Sequence, residues 1–253
     1  MGGVFLYRGN GVRLLKTGSR AYWREAAESV TDLRMLTVAA LTVALRVAVK
    51  FLKIPLAAGL SLAFDCYVNA VGSLIYGPLM ALSVGAVSDT IGCLVAPTGP
   101  YFFPFIFVEM ASGFLFALFL WRKPLTASRA LMAKFTVNFV CNVVMTSVFI
   151  KWQCYLLYGL EEAQAYNLIN LVRIGKNLIL FPLEGVLILL LIRALLPALA
   201  ERGFVPQASL PPEKSRTHTA LMLLALLLLS VALILFYALF GQSFLSAHNI
   251  KLL

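Results

Sequence analysis

Charge is scarce in this chain: 13% of its 253 residues are Asp, Glu, Lys or Arg, about half the usual share in a soluble domain. Histidine is scarcer still. The two present, His218 and His248, stand in a polar stretch and in the tail, and no His-Glu-x-x-His run occurs. Metal-assisted hydrolysis and histidine-activated nucleophiles therefore lack their usual residues, which argues against an intramembrane enzyme. A Gly-x-x-x-x-Gly-Lys-Ser/Thr loop is missing as well, so ATP would have to be hydrolysed by other chains. The four cysteines, Cys66, Cys93, Cys141 and Cys154, have no metal-ligand spacing and read as small buried hydrophobes. Residues 1–32 hold five Lys or Arg but no apolar core of signal-peptide length.

What fills the chain instead is apolar: 61% of residues are hydrophobic and mean hydropathy is +0.90. A chain so composed cannot cover its surface with polar groups, so lipid must be its solvent. Seven runs approach the length of about 20 residues that a spanning helix needs: Leu33–Leu52, Leu60–Gly77, Leu79–Ala96, Phe102–Trp121, Leu131–Leu157, Leu168–Leu196 and Thr219–Phe240. Ile54-Pro55, Gly77-Pro78, Pro97-Thr98-Gly99-Pro100 and Lys123-Pro124 separate them with turn chemistry. The expected fold is an all-α integral membrane bundle. Its parts are an N-terminal extension (1–32), a six-helix core (33–201), a proline-rich linker (202–218), an added helix (219–241) and a tail (242–253). The added helix is apolar all round, as a largely lipid-facing helix would be.

The 21 Lys and Arg against 11 Asp and Glu could point to nucleic acid, but no soluble basic segment exists to carry that reading. Side-counting explains the excess better. With the N-terminus inside, the inner segments hold Arg8, Arg13, Lys16, Arg20, Arg24, Arg34, Arg122, Lys123, Arg129, Lys134, Arg193, Arg202, Lys214 and Arg216, which favours a cytoplasmic N-terminus. The bases that disobey are more informative. Arg46, Lys50 and Lys53 share one face of the first helix, and Arg173, Lys176 and Asn177 share a face of the sixth. A charge at the bilayer centre costs about 2.5 to 3.5 kcal/mol, so two such stripes should meet at a cavity, although snorkelling to headgroups is the competing reading. Asp65, Asp89, Glu109 and Glu184 are available partners, and the bases outnumber the acids expected on the outer side. That surplus implies an anionic ligand.

Three further features bear on function. Ala40, Ala44 and Ala48 form a ridge about 180° from the basic stripe, suited to close approach by another helix, whether of a partner protein or of its own bundle. The stretch Ala96 to Phe105, with Tyr101 and Phe103, could stack over a flat ring, gate the cavity or form an interfacial belt. Asn69, Asn138 and Asn142 lie inside apolar runs and should each bond a neighbouring helix or a ligand.

The block Ser61 to Phe119 carries Phe64-Asp65, Tyr76-Gly77-Pro78, Gly85-x-x-x-Asp89 and the run Pro97 to Phe102. With Arg173 to Glu184 and the alanine repeat, it resembles the S components of energy-coupling factor (ECF) vitamin transporters, most of all the folate type. The resemblance spans about residues 33–200; the front segment and the seventh helix depart from its six-helix pattern. It implies a vitamin-binding subunit of a bacterial cell membrane that docks on a transmembrane coupling protein and two ATPases. By that resemblance Arg46, Lys50, Arg173 and Lys176 would take folate's carboxylates, and Asp65 or Asp89 the N–H donors of its pterin. Asn69, Asn177, Tyr101 and Phe103 complete the expected site, and no cofactor is expected. Another vitamin or precursor, or a membrane scaffold, remains the alternative.

Overall fold

The computed structural model describes residues 14–57, 60–96, 102–159, 171–209 and 216–237. The first helix, α1 (Arg20–Thr31), is capped by the Ser19 hydroxyl, which accepts from the Tyr22 N–H, and α2 (Leu33–Val49) by Asp32, which accepts from the Arg34 N–H. A hairpin follows, β1 (Lys53–Ala57) antiparallel to β2 (Leu60–Ala63), with Lys53 opposite Ala63 and Ile54 opposite Leu62. Then come α3 (Asp65–Tyr76), α4 (Pro78–Val95) and α5 (Phe105–Leu120). A single rod is built from α6 (Ala127–Val137), a π-helical segment (Asn138–Met145) and α7 (Thr146–Tyr158). Last are α8 (Leu171–Glu201) and α9 (Arg216–Phe236).

Pro78–Val95, Ala127–Leu157 and Arg173–Glu201 are long and apolar enough to cross a bilayer, and the shorter apolar helices Phe105–Leu120 and Ala220–Phe236 stand beside them. The chain is thus a predominantly helical, multi-pass membrane protein with one short β-hairpin. Where α3 turns into α4, Gly77 takes φ +86° against the Trp121 ring, a conformation that side chains rarely adopt, and Pro78 opens the next helix at its first turn. The core gathers Tyr67, Leu74, Phe116, Leu120, Val137, Ile188 and Ile192 from α3, α5, α6 and α8.

Four differences from the sequence reading have local causes. Lys53 falls in β1 instead of on a helical face with Arg46 and Lys50, and Leu60–Ala63 is a strand rather than the start of a helix. Its side chains alternate buried and exposed, which is the strand period of two. Residues 20–31, expected as an extension outside the six-helix core, close one end of the bundle. Tyr22 and Ala26 are fully buried, Tyr22 meets Trp121 edge-on at 4.8 Å, and Ser29 Oγ donates to the Tyr76 carbonyl. Glu25 pairs with Arg122 at 2.7 Å; burial holds the Arg122 pKa below its ordinary value, and Glu25 offsets part of that shift. The beginning of the expected linker is docked: Val205 and Ser209 are buried, and the Ser209 carbonyl accepts from the Leu125 N–H. Finally, Lys134, counted above with the inner-surface bases, is buried inside the bundle.

The added helix α9 lies on α8, with Met222, Leu223 and Leu226 packed on the core. Its outward residues Leu221, Leu224, Leu228 and Leu235 are exposed, as a lipid-facing surface would be.

Candidate ligand site

Near the hairpin end, α2, α3, α4 and α5 bring five charged side chains together. Arg46, near the end of α2, is 1% exposed. Its guanidinium grips Asp65 with two bonds, Nε to Oδ1 at 2.9 Å and Nη2 to Oδ2 at 3.0 Å, and Nη2 also reaches Glu109 Oε2 at 2.5 Å. Lys50, one helical turn further, pairs with Asp89 at 3.8 Å. Small residues make this convergence possible. A Cβ at Gly85 would come within 2.8 Å of the Glu109 backbone, so α4 and α5 touch main chain to main chain there. A Cβ at Gly92 would collide with the Lys50 ammonium, whose stem crosses that gap on its way to Asp89.

The charge count at this pole reverses the expectation from sequence. Two cations meet three carboxylates, so Arg46 and Lys50 are matched by the protein's own acids. The surplus here is negative. Asp65, Glu109 and Asp89 side chains keep 21%, 29% and 18% exposure, enough for each to present an oxygen to a ligand.

A second polar chain starts on the other side of the α3 N-terminus, where Cys66 follows Asp65. Lys134 Nζ lies 3.3 Å from Cys66 Sγ and 3.2 Å from Glu184 Oε2. Asn138 Nδ2 donates to the same Glu184 oxygen at 2.8 Å. Outward from there, Asn142 Nδ2 reaches Asn138 Oδ1 at 3.3 Å and Asn177 Oδ1 at 3.4 Å. Arg173 Nη1 donates to the Asn142 carbonyl at 3.5 Å, and Asn177 Nδ2 to the Arg173 carbonyl at 2.9 Å. Lys176, half-buried on the same stretch of α8, has no hydrogen bond or ion pair among the described residues. Unmatched basic charge therefore lies on α8, at Lys176, and the three carboxylates of the first pole on α3, α4 and α5.

The remaining expected residues separate. Asn69 lies outside both poles: it is 1% exposed, and Nδ2 donates to Ser112 Oγ at 3.1 Å, tying α3 to α5. Phe103 is exposed before α5, edge-on to Phe107. Tyr101 and the turn expected at residues 97–100 lie outside the described residues. The alanines fall where periodicity put them: Ala40, Ala44 and Ala48 are all exposed, while Thr42 and Arg46 on the opposite face are buried. Among the described residues no group of three His, Cys, Asp or Glu could hold a metal ion. Glu109, Glu184 and Asn138 proved central to the polar chains, and their signal was a polar residue set alone within an apolar run.

Comparison with known proteins bears on this arrangement. The profile described as "ECF transporter, substrate-specific component" matches residues 34–205. A protein of Clostridium novyi (strain NT) named folate transporter FolT is 27% identical over 119 residues, 47% of this chain and 64% of that protein. Another folate transporter FolT, from Leuconostoc mesenteroides subsp. mesenteroides, is 26% identical over 110 residues, 43% and 58% of the two chains. The matches thus span less than two thirds of these curated relatives. A crystal structure of FolT bound with folic acid superposes with a TM-score of 0.50 at 24% identity, covering 61% of this chain and 90% of that one, which is a likeness of fold.

Proposed function

The chain belongs to the substrate-specific components of ECF transporters, a family of transport subunits rather than enzymes, and from that premise we propose that it captures folate from outside a bacterial cell. The observation that carries this reading is the division of the site into an acid-rich and a base-rich half. Folate is divided in the same way. Its pterin presents an amino group and ring N–H donors, and its glutamate presents two carboxylates. Asp65, Glu109 and Asp89 suit the first end, and Lys176 and Arg173 suit the second. This allotment refines the one drawn from sequence, because Arg46 and Lys50 are already engaged by carboxylates and serve to hold those carboxylates in place.

In this reading the hairpin end faces outward, and the end closed by α1, which carries Arg122, Lys123, Arg129 and Arg202, faces the cytoplasm. Delivery then depends on a transmembrane coupling protein and two ATPases. The exposed Ala40, Ala44 and Ala48 support docking by that coupling protein, since small side chains let helices approach closely in lipid. Calorimetric titration of the detergent-purified chain with folate tests the proposal. Binding that is strong for folate and weak for uncharged pterins is expected. A chain that takes up no folate, yet co-purifies with a different small molecule, would replace folate with that molecule.

A further inference from the structure

The rod formed by α6 and α7 changes register at its middle, in the π-helical segment Asn138–Met145. Such wide turns inside α-helices cluster at functional sites. Here the turn is braced: the Cys141 carbonyl takes both the Thr146 backbone N–H and, at 2.8 Å, the Thr146 hydroxyl. The widening brings Asn142 against α8, where its carbonyl meets Arg173 and its amide nitrogen meets Asn177.

Asn142 is exposed although it sits near the midpoint of a spanning rod. A neutral amide at that depth is unfavourable against hydrocarbon and natural beside a polar cavity. Its surroundings are polar, with Arg173 and Asn177 in contact. Its own bonds are long, 3.3 and 3.4 Å, and both use the nitrogen. The Oδ1 atom accepts nothing among the described residues, and neither does Lys176 on the facing stretch of α8 have a partner there. An idle acceptor and an idle ammonium thus occur on facing helices at the base-rich half of the site.

We infer that Asn142 is a specificity-determining contact, its Oδ1 accepting from the N–H of the amide that joins folate's benzoyl ring to its glutamate while Lys176 holds a glutamate carboxylate. The inference rests on the folate reading and goes further by naming which bond of the ligand is read, and by which residue. It assigns the π turn a purpose, since an uninterrupted α-helix would rotate the residues after Asn138 away from their present places on α8.

The test compares folate with pteroate, which keeps the pterin and benzoyl groups but lacks the glutamate and its amide. Asn142→Leu keeps the side chain's size, and Asn142→Ala serves beside it in case leucine packs badly. Titration of each full-length variant in detergent should show folate affinity down by about tenfold, the usual scale for one lost hydrogen bond, with pteroate affinity within about twofold of wild type. Equal losses for the two ligands would mean that Asn142 only supports the helix pair, and unchanged folate affinity would mean that it faces lipid; either result overturns the inference while leaving folate binding in place. A wild-type chain that binds neither compound overturns the folate reading and this contact with it.

Discussion

Removing the Arg46 cation while keeping most of its volume, as in Arg46→Met, leaves Asp65 and Glu109 close together without their common partner. Stripping one member from a buried ion pair costs about 3–5 kcal/mol, because the other charge remains where water cannot fully reach it. Here the two carboxylates keep 21% and 29% exposure, so solvent screens part of the repulsion and about 3 kcal/mol is the expected loss. For a chain of this size each kcal/mol moves the melting temperature by about 2–4 °C, which predicts a fall of about 6–12 °C. The triple variant Arg46→Met, Asp65→Asn, Glu109→Gln strands no charge and should recover most of that loss, while its folate affinity falls because the acid-rich half has lost two of its three carboxylates. Melting is followed in detergent by the fluorescence of Trp121, which is 1% exposed in the core. If Arg46→Met melted like the wild type while losing folate, the arginine would be holding the ligand's carboxylate and the charge matching described here would be wrong.

Other expectations follow from single contacts. Ala44→Trp should abolish folate uptake by cells carrying the whole transporter and leave binding by the isolated subunit near normal, since Ala44 is exposed on the face opposite the buried Arg46; loss of both activities would put the ridge inside the bundle. Gly85→Val should destabilise the protein by about 2 kcal/mol or more and displace Glu109, because the neighbour 2.8 Å from the new Cβ is backbone and cannot swing aside; a melting curve unchanged from wild type would show that α4 and α5 are not in main-chain contact. Lys176→Gln should weaken folate more than pteroate, and the difference should shrink in high salt as the ion pair is screened; equal affinities for both ligands at every salt concentration would remove Lys176 from the site. A chain stopped after Ser209 keeps the docked Val205 and the Ser209 bond to Leu125, and it should insert and bind folate without α9; failure to bind would make the seventh helix part of the core.

Much of the architecture was legible because hydropathy and turn chemistry report directly on spans. Pro78 and Gly77 marked the α3–α4 corner, and the small-residue period of Ala40, Ala44 and Ala48 correctly separated an exposed face of α2 from a buried one. What escaped depends on contacts between residues distant in the chain. Tyr22 was not recognisable as a core residue because the ring that buries it, Trp121, lies about a hundred positions away. The π segment also escaped, since Asn138 to Met145 fits a spanning helix as well as its neighbours do and only the facing side chains of α8 reveal the altered register.

Charge was the most instructive case, because the sequence reading expected free cations on α2 where the structure pairs them with acids. Arg46 and Lys50 were visible as a stripe, and Asp65, Asp89 and Glu109 as available acids, but a face has no partners until the helices are packed. Gly85 decides the outcome: by letting α4 and α5 meet at the backbone, it puts Glu109 within reach of a guanidinium on α2. Arg46 then satisfies two carboxylates at once, and the positive surplus moves to α8. If the ligand is folate as proposed, the direction in which it lies follows from that shift. With all five bases free, either end could have met a cation. With α2 neutralised, an anionic end is repelled by Asp65, Glu109 and Asp89 and attracted by Lys176, so one orientation is favoured by electrostatics before any shape matching begins.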